Sequence, residues 1–281
     1  MTPRHDREDI HVSTTDAASD RESLRDLAVR VAAEAGELAR EGQAGITVLD
    51  TKSSPTDVVT KMDRATEDLI RARLLAERPD DAVLGEEGGD EGGTSGVRWV
   101  VDPIDGTVNY LYGHHDWAVS IAAEVDGVAV AAAVNVPRRD EMYEAVLGAG
   151  ARLNGRTLQA PPAVPLEQAL VATGFGYRPE RRTQQARVLL EVIAHIRDIR
   201  RGGSAAVDLT GLAAGRFNAY YERGLHAWDW AAPGLVASEA GLRVGGLHGG
   251  PPGEDLVIAG RPELYEALQD LLAPLGADTD G

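Results

Sequence analysis

WVVDPIDGTVNY, residues 99–110, runs from an apolar stretch straight into acid. Trp99, Val100 and Val101 have the aromatic and β-branched make-up of a buried strand. A strand ending at Asp102 carries that carboxylate to the end of the sheet. Pro103 fixes the backbone so that the Ile104 carbonyl turns the same way, and Asp105 adds a second carboxylate on that side. Gly106 lets the backbone approach a ligand closely. Thr107 opens a helix whose N–H groups favour an anion. One loop thus offers oxygen ligands for cations and donors for a phosphate. Two cations about 3.5–4 Å apart are the standard device for phosphate-ester hydrolysis, and they need a bridging carboxylate such as Asp102. The plainer reading is a turn followed by a helix cap, where Asp-Pro and Asp or Thr are common. A second short apolar run, Ala82 to Gly85, ends in Glu86-Glu87, so Glu86 reaches the same sheet edge or else begins an exposed acidic loop, GGDEGGTSG.

Composition narrows the chemistry. The chain has 281 residues, 43% of them hydrophobic, enough for one large domain or two packed subdomains. Its formal charge is −17 and its pI about 4.8, which argues against non-specific nucleic-acid or anionic-membrane partners. With no cysteine, disulfides, thiolate metal sites and Cys nucleophiles are excluded. The seven histidines show no His-x-x-x-His spacing, so any metal is expected on oxygen ligands, as a hard cation such as Mg²⁺. Residues 1–22 are polar, lack the apolar core of a secretory signal, and read as a disordered tail. No apolar run is long enough to span a membrane, and a cytoplasmic protein is expected.

Helical spacing of Leu24, Leu27, Ala28, Val31, Ala35 and Leu38 predicts a first helix stopped by Gly42, and a second is predicted over residues 61–77, ended by Pro79. WAVSIAAEV and VAVAAAVNV flank Asp126-Gly127 as a hairpin with a type I′ turn, and Asn154-Gly155 marks a further turn. Residues 23–160 therefore read as an α+β subdomain with an antiparallel sheet. Pro161, Pro162 and Pro165 mark a boundary. In residues 161–281 strands near 169–174, 217–222 and 256–259 alternate with helices near 182–198, 204–214, from Trp230 and over 262–273. That alternation predicts helices covering a mixed sheet.

The chain resembles the inositol monophosphatase family, the lithium-sensitive, Mg²⁺-dependent phosphatases. The matching segments run in the family's order: Lys52-Ser53-Ser54-Pro55 through Asp57-Val58-Val59-Thr60 to Asp63; Gly85-Glu86-Glu87; Trp99 through Asp102-Pro103-Ile104-Asp105-Gly106-Thr107 to Asn109; and Trp228-Asp229 through Ala240-Gly241. The resemblance implies an α/β/α/β/α layered sandwich, usually a homodimer. It implies that Glu86, Asp102 and the Ile104 carbonyl hold a first Mg²⁺, and that Asp102, Asp105 and Asp229 hold a second. Glu86 and Asp63 would lie near a weaker third site. Thr107 with Asp63 would orient and deprotonate the attacking water, and the Gly106 and Thr107 amides would hold the phosphate. Gly203, Ser204 and Ala205 would line the polyol, and Glu222 would accept hydrogen bonds from its hydroxyls. By position alone Asp63 is a first-turn acid favoured by the helix dipole, and Gly203-Ser204 is explained equally well as a turn and an N-cap. Lys52 would sit in a mobile loop near the metals. The segment departs from the family at Gly202, where bulkier residues are frequent. His114-His115 read as a surface loop, and Tyr220, Tyr221, Trp228 and Trp230 as core or interface residues.

The expected function is Mg²⁺-dependent hydrolysis of myo-inositol 1-phosphate with two or three Mg²⁺ per site. The expected partners are a small phosphorylated polyol and a second copy of the chain. Histidinol phosphate, fructose 1,6-bisphosphate and 3′-phosphoadenosine 5′-phosphate are alternative substrates within the superfamily. A non-catalytic, partner-binding protein that keeps the fold is the alternative outside enzymology.

Overall fold

The structure is a computed structural model that describes residues 14–51 and 58–280. In the first half the elements are α1 (Thr14–Gly42), β1 (Val48–Thr51), β2 (Val58–Thr60), α2 (Lys61–Glu77), β3 (Ala82–Gly85), β4 (Gly89–Glu91), β5 (Val97–Asp105), α3 (Thr107–Leu111), β6 (Ala118–Val125), β7 (Val128–Val136), β8 (Glu141–Val146), β9 (Gly150–Leu153) and β10 (Arg156–Thr157). The second half holds β11 (Leu170–Thr173), α4 (Pro179–Val192), β12 (Asp198–Arg200), α5 (Ala205–Ala213), β13 (Ala219–Glu222), α6 (Ala227–Glu239), β14 (Arg243–Gly245), β15 (Val257–Gly260) and α7 (Pro262–Leu272).

Two large sheets organise these elements. The first has the order β10-β9-β8-β7-β6-β5-β3-β4, and the second β12-β11-β13-β15-β14. Side-chain alternation decides what covers each face. On β6, Val119, Ile121 and Ala123 pack with Leu24, Leu27 and Val31 of α1 and Ile70 and Leu74 of α2. Ala118 and Ala122 face the other way, toward α5 and α6. The second sheet repeats the pattern. Tyr220, Val257 and Ala259 join α5 and α6, while Ala219, Tyr221 and Ile258 pack against Val188 of α4 and Leu264 and Leu268 of α7. The result is the expected α/β/α/β/α sandwich. Every residue of α5 is buried, and the Ala and Gly content of α5 and α6 lets both helices fit between two sheets, as a helix apolar all round must.

Several expectations are corrected. Residues 14–22 are not tail but the start of α1; Arg21 donates to the Leu147 carbonyl at 3.3 Å, tying that end to the first sheet. Residues 1–13 lie outside the described residues. The first sheet is antiparallel except for one parallel pair, β3 with β5. The predicted helix over 182–198 stops at Val192, because residues 198–200 pair in parallel with β11. Within the acidic loop, Gly89–Glu91 forms an exposed edge strand. The strands β8, β9 and β14 were not anticipated. Asp126 and Gly127 have φ of 51° and 75°, and Asn154 and Gly155 have φ of 49° and 76°, the left-handed values a type I′ hairpin turn requires. Among the described residues no helix is long and apolar enough to cross a membrane.

Candidate active site

The parallel β3–β5 pair brings two acids side by side. Gly85 pairs with Val101, and the Glu86 N–H donates to the Val101 carbonyl at 3.3 Å, so Glu86 and Asp102 leave the same end of the sheet together. Asp102 and Asp105 are three residues apart, which in a regular strand would point them to opposite faces. A β-bulge removes that conflict. Asp102 pairs with Ser120 but Asp105 with Ala118, so two β5 residues face one β6 residue. Asp102 Oδ1 accepts the Ile104 N–H at 3.0 Å inside the bulge. Gly106 then turns the chain at φ 93°, where a side chain would be strained, and caps α3 without a side-chain hydrogen bond.

Two other helices deliver carboxylates to this bulge. Thr60 and Asp63 form a capping box at the start of α2. Asp63 Oδ2 accepts the Thr60 N–H at 2.7 Å and the Thr60 hydroxyl at 2.6 Å. Its Oδ1 accepts the Thr107 hydroxyl at 3.1 Å, and the Ile104 carbonyl lies 3.2 Å from the same hydroxyl. Asp63 is therefore both a helix-start residue and the partner of Thr107. At the start of α6, Asp229 is the third helical residue and His226 the cap; Asp229 Oδ2 accepts the His226 N–H at 2.7 Å. Asp105 Oδ2 accepts the Ser204 hydroxyl at 2.5 Å and the Ala206 N–H at 2.6 Å, holding the start of α5. Ser204 in turn caps α5 through the Val207 N–H at 3.2 Å.

Asp102, Asp105 and Asp229 present carboxylate oxygens within 4.8 Å of one another. Burial, with opposition from the Ser204 and Ala206 bonds, raises the Asp105 carboxyl above its ordinary range. Burial and the nearby Asp105 and Glu86 charges push Asp229 well up. Like charges crowded in this way favour a cation among them, and the all-oxygen donor set fits a hard one.

These acids floor one wall of a cavity of about 410 Å³ that Glu86, Ile104, Gly106 and Thr107 also line. Gly203, Ser204, Ala205 and Glu222 belong to the same cavity; Asp63 touches it through Thr107. Glu222 accepts the Tyr220 hydroxyl at 2.7 Å. Its carboxyl is raised to about 7 by burial and by the Asp105 charge, against that hydrogen bond. Lys52 and the segment from Ser53 to Asp57 lie outside the described residues.

Sequence reasoning did not identify the cavity's arginines. Arg178, Arg181, Arg201 and Arg223 line the same cavity, as does Trp228. Arg181 pairs with Asp280 at 2.9 Å, and Arg223 pairs with the same carboxylate. No local pattern around these arginines marks them. Trp228, expected as core or interface, packs against the core and also lines the cavity, its ring tilted against His226 with centroids 4.8 Å apart. Tyr220 and Tyr221 are core, and His114 and His115 are exposed.

Asp208 was also missed. It is buried in α5, and a Cβ on Gly202 would collide with its Oδ1, which explains glycine there. Burial first, then the Glu222 and Asp105 charges, raise the Asp208 carboxyl to about 8. A carboxyl raised above its unfolded value contributes stability at low pH and loses it as pH rises from about 4 through about 8. With Mg²⁺ saturating, Asp208→Asn should therefore have a higher Tm than wild type at pH 8 and a flatter Tm profile between pH 6 and 8. Each kcal/mol regained is worth about 2–4 °C in a chain of this size. Parallel wild-type and variant profiles would show that Asp208 does not titrate as argued.

The acid cluster at the bulged strand end could hold a metal ion, and it sits on a layered α/β/α/β/α fold beside the Thr107–Asp63 pair. The chain belongs to the inositol monophosphatase family, whose model matches residues 20–276. It is 46% identical over 240 residues to the inositol-1-monophosphatase of Mycobacterium bovis, covering 79% of this chain and 83% of that one. It is 36% identical over 260 residues to the Nus factor SuhB of Pseudomonas aeruginosa, covering 89% and 96%. Among solved structures, Mycobacterium tuberculosis SuhB superimposes with a TM-score of 0.79 at 41% identity, covering 92% and 99%. The chain is an enzyme of the phosphatase class.

Proposed function

We propose that the enzyme hydrolyses myo-inositol 1-phosphate, with Mg²⁺ held by Asp102, Asp105, Asp229, Glu86 and the Ile104 carbonyl. The observation that carries this reading is the convergence of Asp102, Asp105 and Asp229 within 4.8 Å, beside Thr107 bonded to Asp63. When bound, Mg²⁺ supplies the positive charge that stabilises the transferring phosphoryl group. The remaining chemistry belongs to the chain. Thr107 Oγ1 accepts a hydrogen bond from the attacking water, and as that water loses its proton to Oγ1 the threonine proton passes to Asp63 Oδ1. Asp63 keeps its orientation through Thr60. The Gly106 and Thr107 amides take the phosphate oxygens. Ser204, Ala205 and Gly203 line the polyol, and Glu222 accepts hydrogen bonds from its hydroxyls. A homodimeric, cytoplasmic, lithium-sensitive enzyme with two or three Mg²⁺ per site completes the reading.

Phosphate release from inositol 1-phosphate, histidinol phosphate, fructose 1,6-bisphosphate and 3′-phosphoadenosine 5′-phosphate, ranked by kcat/KM with Mg²⁺ and with excess EDTA, tests it. Inositol 1-phosphate should rank first, EDTA should abolish turnover and Li⁺ should inhibit. Glu222→Gln should lower kcat/KM for inositol 1-phosphate by about 10-fold or more, in the range of a lost charged hydrogen bond, and spare a simple aryl phosphate. Full activity in EDTA overturns the metal reading. Equal losses on the two esters give Glu222 a structural role instead.

A further inference from the structure

One buried acid on α2 has no place in the chemistry above. Glu67 lies one helical turn beyond Asp63, on the same face. It is 2% exposed and does not line the cavity. Its carboxylate is nevertheless fully engaged. Oε2 accepts the Glu87 N–H at 2.8 Å, and Oε1 accepts the Gly88 N–H at 2.8 Å. These are the two peptide donors that immediately follow Glu86. Arg71 completes the arrangement, donating to Glu67 Oε1 at 2.8 Å, to the Val83 carbonyl at 3.2 Å and to the Gly89 carbonyl at 2.6 Å.

The flanking glycines are shaped to this carboxylate. A Cβ on Gly85 would run into Glu67 Oε1, and one on Gly88 would lie 2.8 Å from it. Glu86 is thus gripped from both sides. Its own N–H is held by β5 through Val101, and the chain just after it is held by Glu67. A free strand end carrying an acid would swing; this one is tied to the same helix that presents Asp63 to Thr107. An ionised carboxylate accepting backbone N–H groups makes bonds roughly twice as strong as neutral ones, so the tie is firm.

We propose that Glu67, braced by Arg71, is a positioning residue for Glu86 and sets the affinity of the metal site without touching the metal. The proposal rests on the Mg²⁺ reading given above. It separates two tasks on α2, proton handling at Asp63 and metal-site geometry at Glu67.

Glu67→Gln tests it. The glutamine amide has one acceptor end, so one of the two loop N–H groups must then face an NH₂ donor. Outer partners of metal ligands are typically worth 10–100-fold in metal affinity. In the variant, the Mg²⁺ concentration for half-maximal activity should rise roughly 10-fold or more. The kcat at saturating Mg²⁺ should stay within about threefold of wild type, because the Thr107–Asp63 pair is untouched. Mn²⁺ binding to the substrate-free protein, followed by electron paramagnetic resonance, should weaken in parallel. Gly88→Ala, whose added methyl crowds Oε1 without removing any charge, should shift Mn²⁺ affinity in the same direction by less, and it decides the matter if Glu67→Gln does not fold. Unchanged Mn²⁺ affinity in a folded variant overturns the proposal. So does a loss of kcat that saturating Mg²⁺ does not restore, which would make Glu67 a general structural residue. If the wild type binds Mn²⁺ but hydrolyses no ester in the panel, the functional reading fails while the binding comparison still judges Glu67.

Discussion

Asp229→Asn is expected to lose nearly all Mg²⁺-dependent turnover while leaving the metal-free protein at least as stable as wild type. The two halves of this result come from the two jobs of one side chain. As a helix residue, Asp229 accepts the His226 N–H, and the side-chain oxygen of an asparagine can accept the same bond. As a member of the acid cluster, Asp229 supplies charge that an amide cannot. Losing an outer partner of a metal ligand already costs about 10–100-fold, so losing a ligand should cost at least that in Mg²⁺ affinity and in turnover. The stability half follows from the raised Asp229 carboxyl, for which burial, then the Asp105 and Glu86 charges, are responsible. A group whose folded value lies above its unfolded value favours folding only while protonated, and that favour is lost as pH rises. Asparagine never ionises. In EDTA the variant's Tm should therefore match wild type below about pH 4, the unfolded value of an aspartate, and exceed it increasingly as pH rises. Calorimetric Mg²⁺ titration and a Tm profile against pH measure both halves. A fully active variant with unchanged Mg²⁺ affinity removes Asp229 from the metal site.

What was legible in the sequence was local. Asp63 lies in the first turn of α2, and α2 spans residues 61–77, as the sequence pattern predicts. The apolar runs before Glu86 and Asp102 are strands, as short apolar runs bounded by turn residues predict. The illegible parts depend on partners far along the chain. Asp105 meets Ser204 across 99 residues, and no spacing rule announces that. The bulge between Asp102 and Asp105 exists only relative to β6. The cavity's arginines come from residues far apart in the chain, Arg181 on α4 and Arg178, Arg201 and Arg223 in its connecting segments, that the fold brings together. Residues 198–200 carry too little alternation to be read as a strand until β11 lies beside them. The resemblance supplied the roles of Asp63 and Glu222 that position alone left open, but it had no reading for Glu67 or Asp208, whose work is done beneath the cavity.

Thr107→Ala should lower kcat by roughly 10²–10⁴-fold, the usual weight of general-base assistance, with a much smaller change in KM. Thr107 Oγ1 is 3.1 Å from Asp63 Oδ1 and 3.2 Å from the Ile104 carbonyl. Its proton is thus committed inward, which leaves its lone pairs available to a water in the cavity that Thr107 lines. That interaction strengthens only as the water gives up its proton, so its loss appears in kcat. The fold should tolerate the change. Asp63 keeps both bonds from Thr60, and one lost hydrogen bond is worth about 0.5–1.5 kcal/mol. Thr107→Ser, which restores the hydroxyl, should recover most of the rate. A double variant separates assistance from mere positioning. If the threonine and the aspartate form one proton path, Thr107→Ala in an Asp63→Asn background should cost little beyond Asp63→Asn alone, because members of one catalytic unit are strongly non-additive. Losses that multiply would mean that the two act separately. A change confined to KM would make Thr107 a phosphate-binding or helix-start residue, with the base elsewhere.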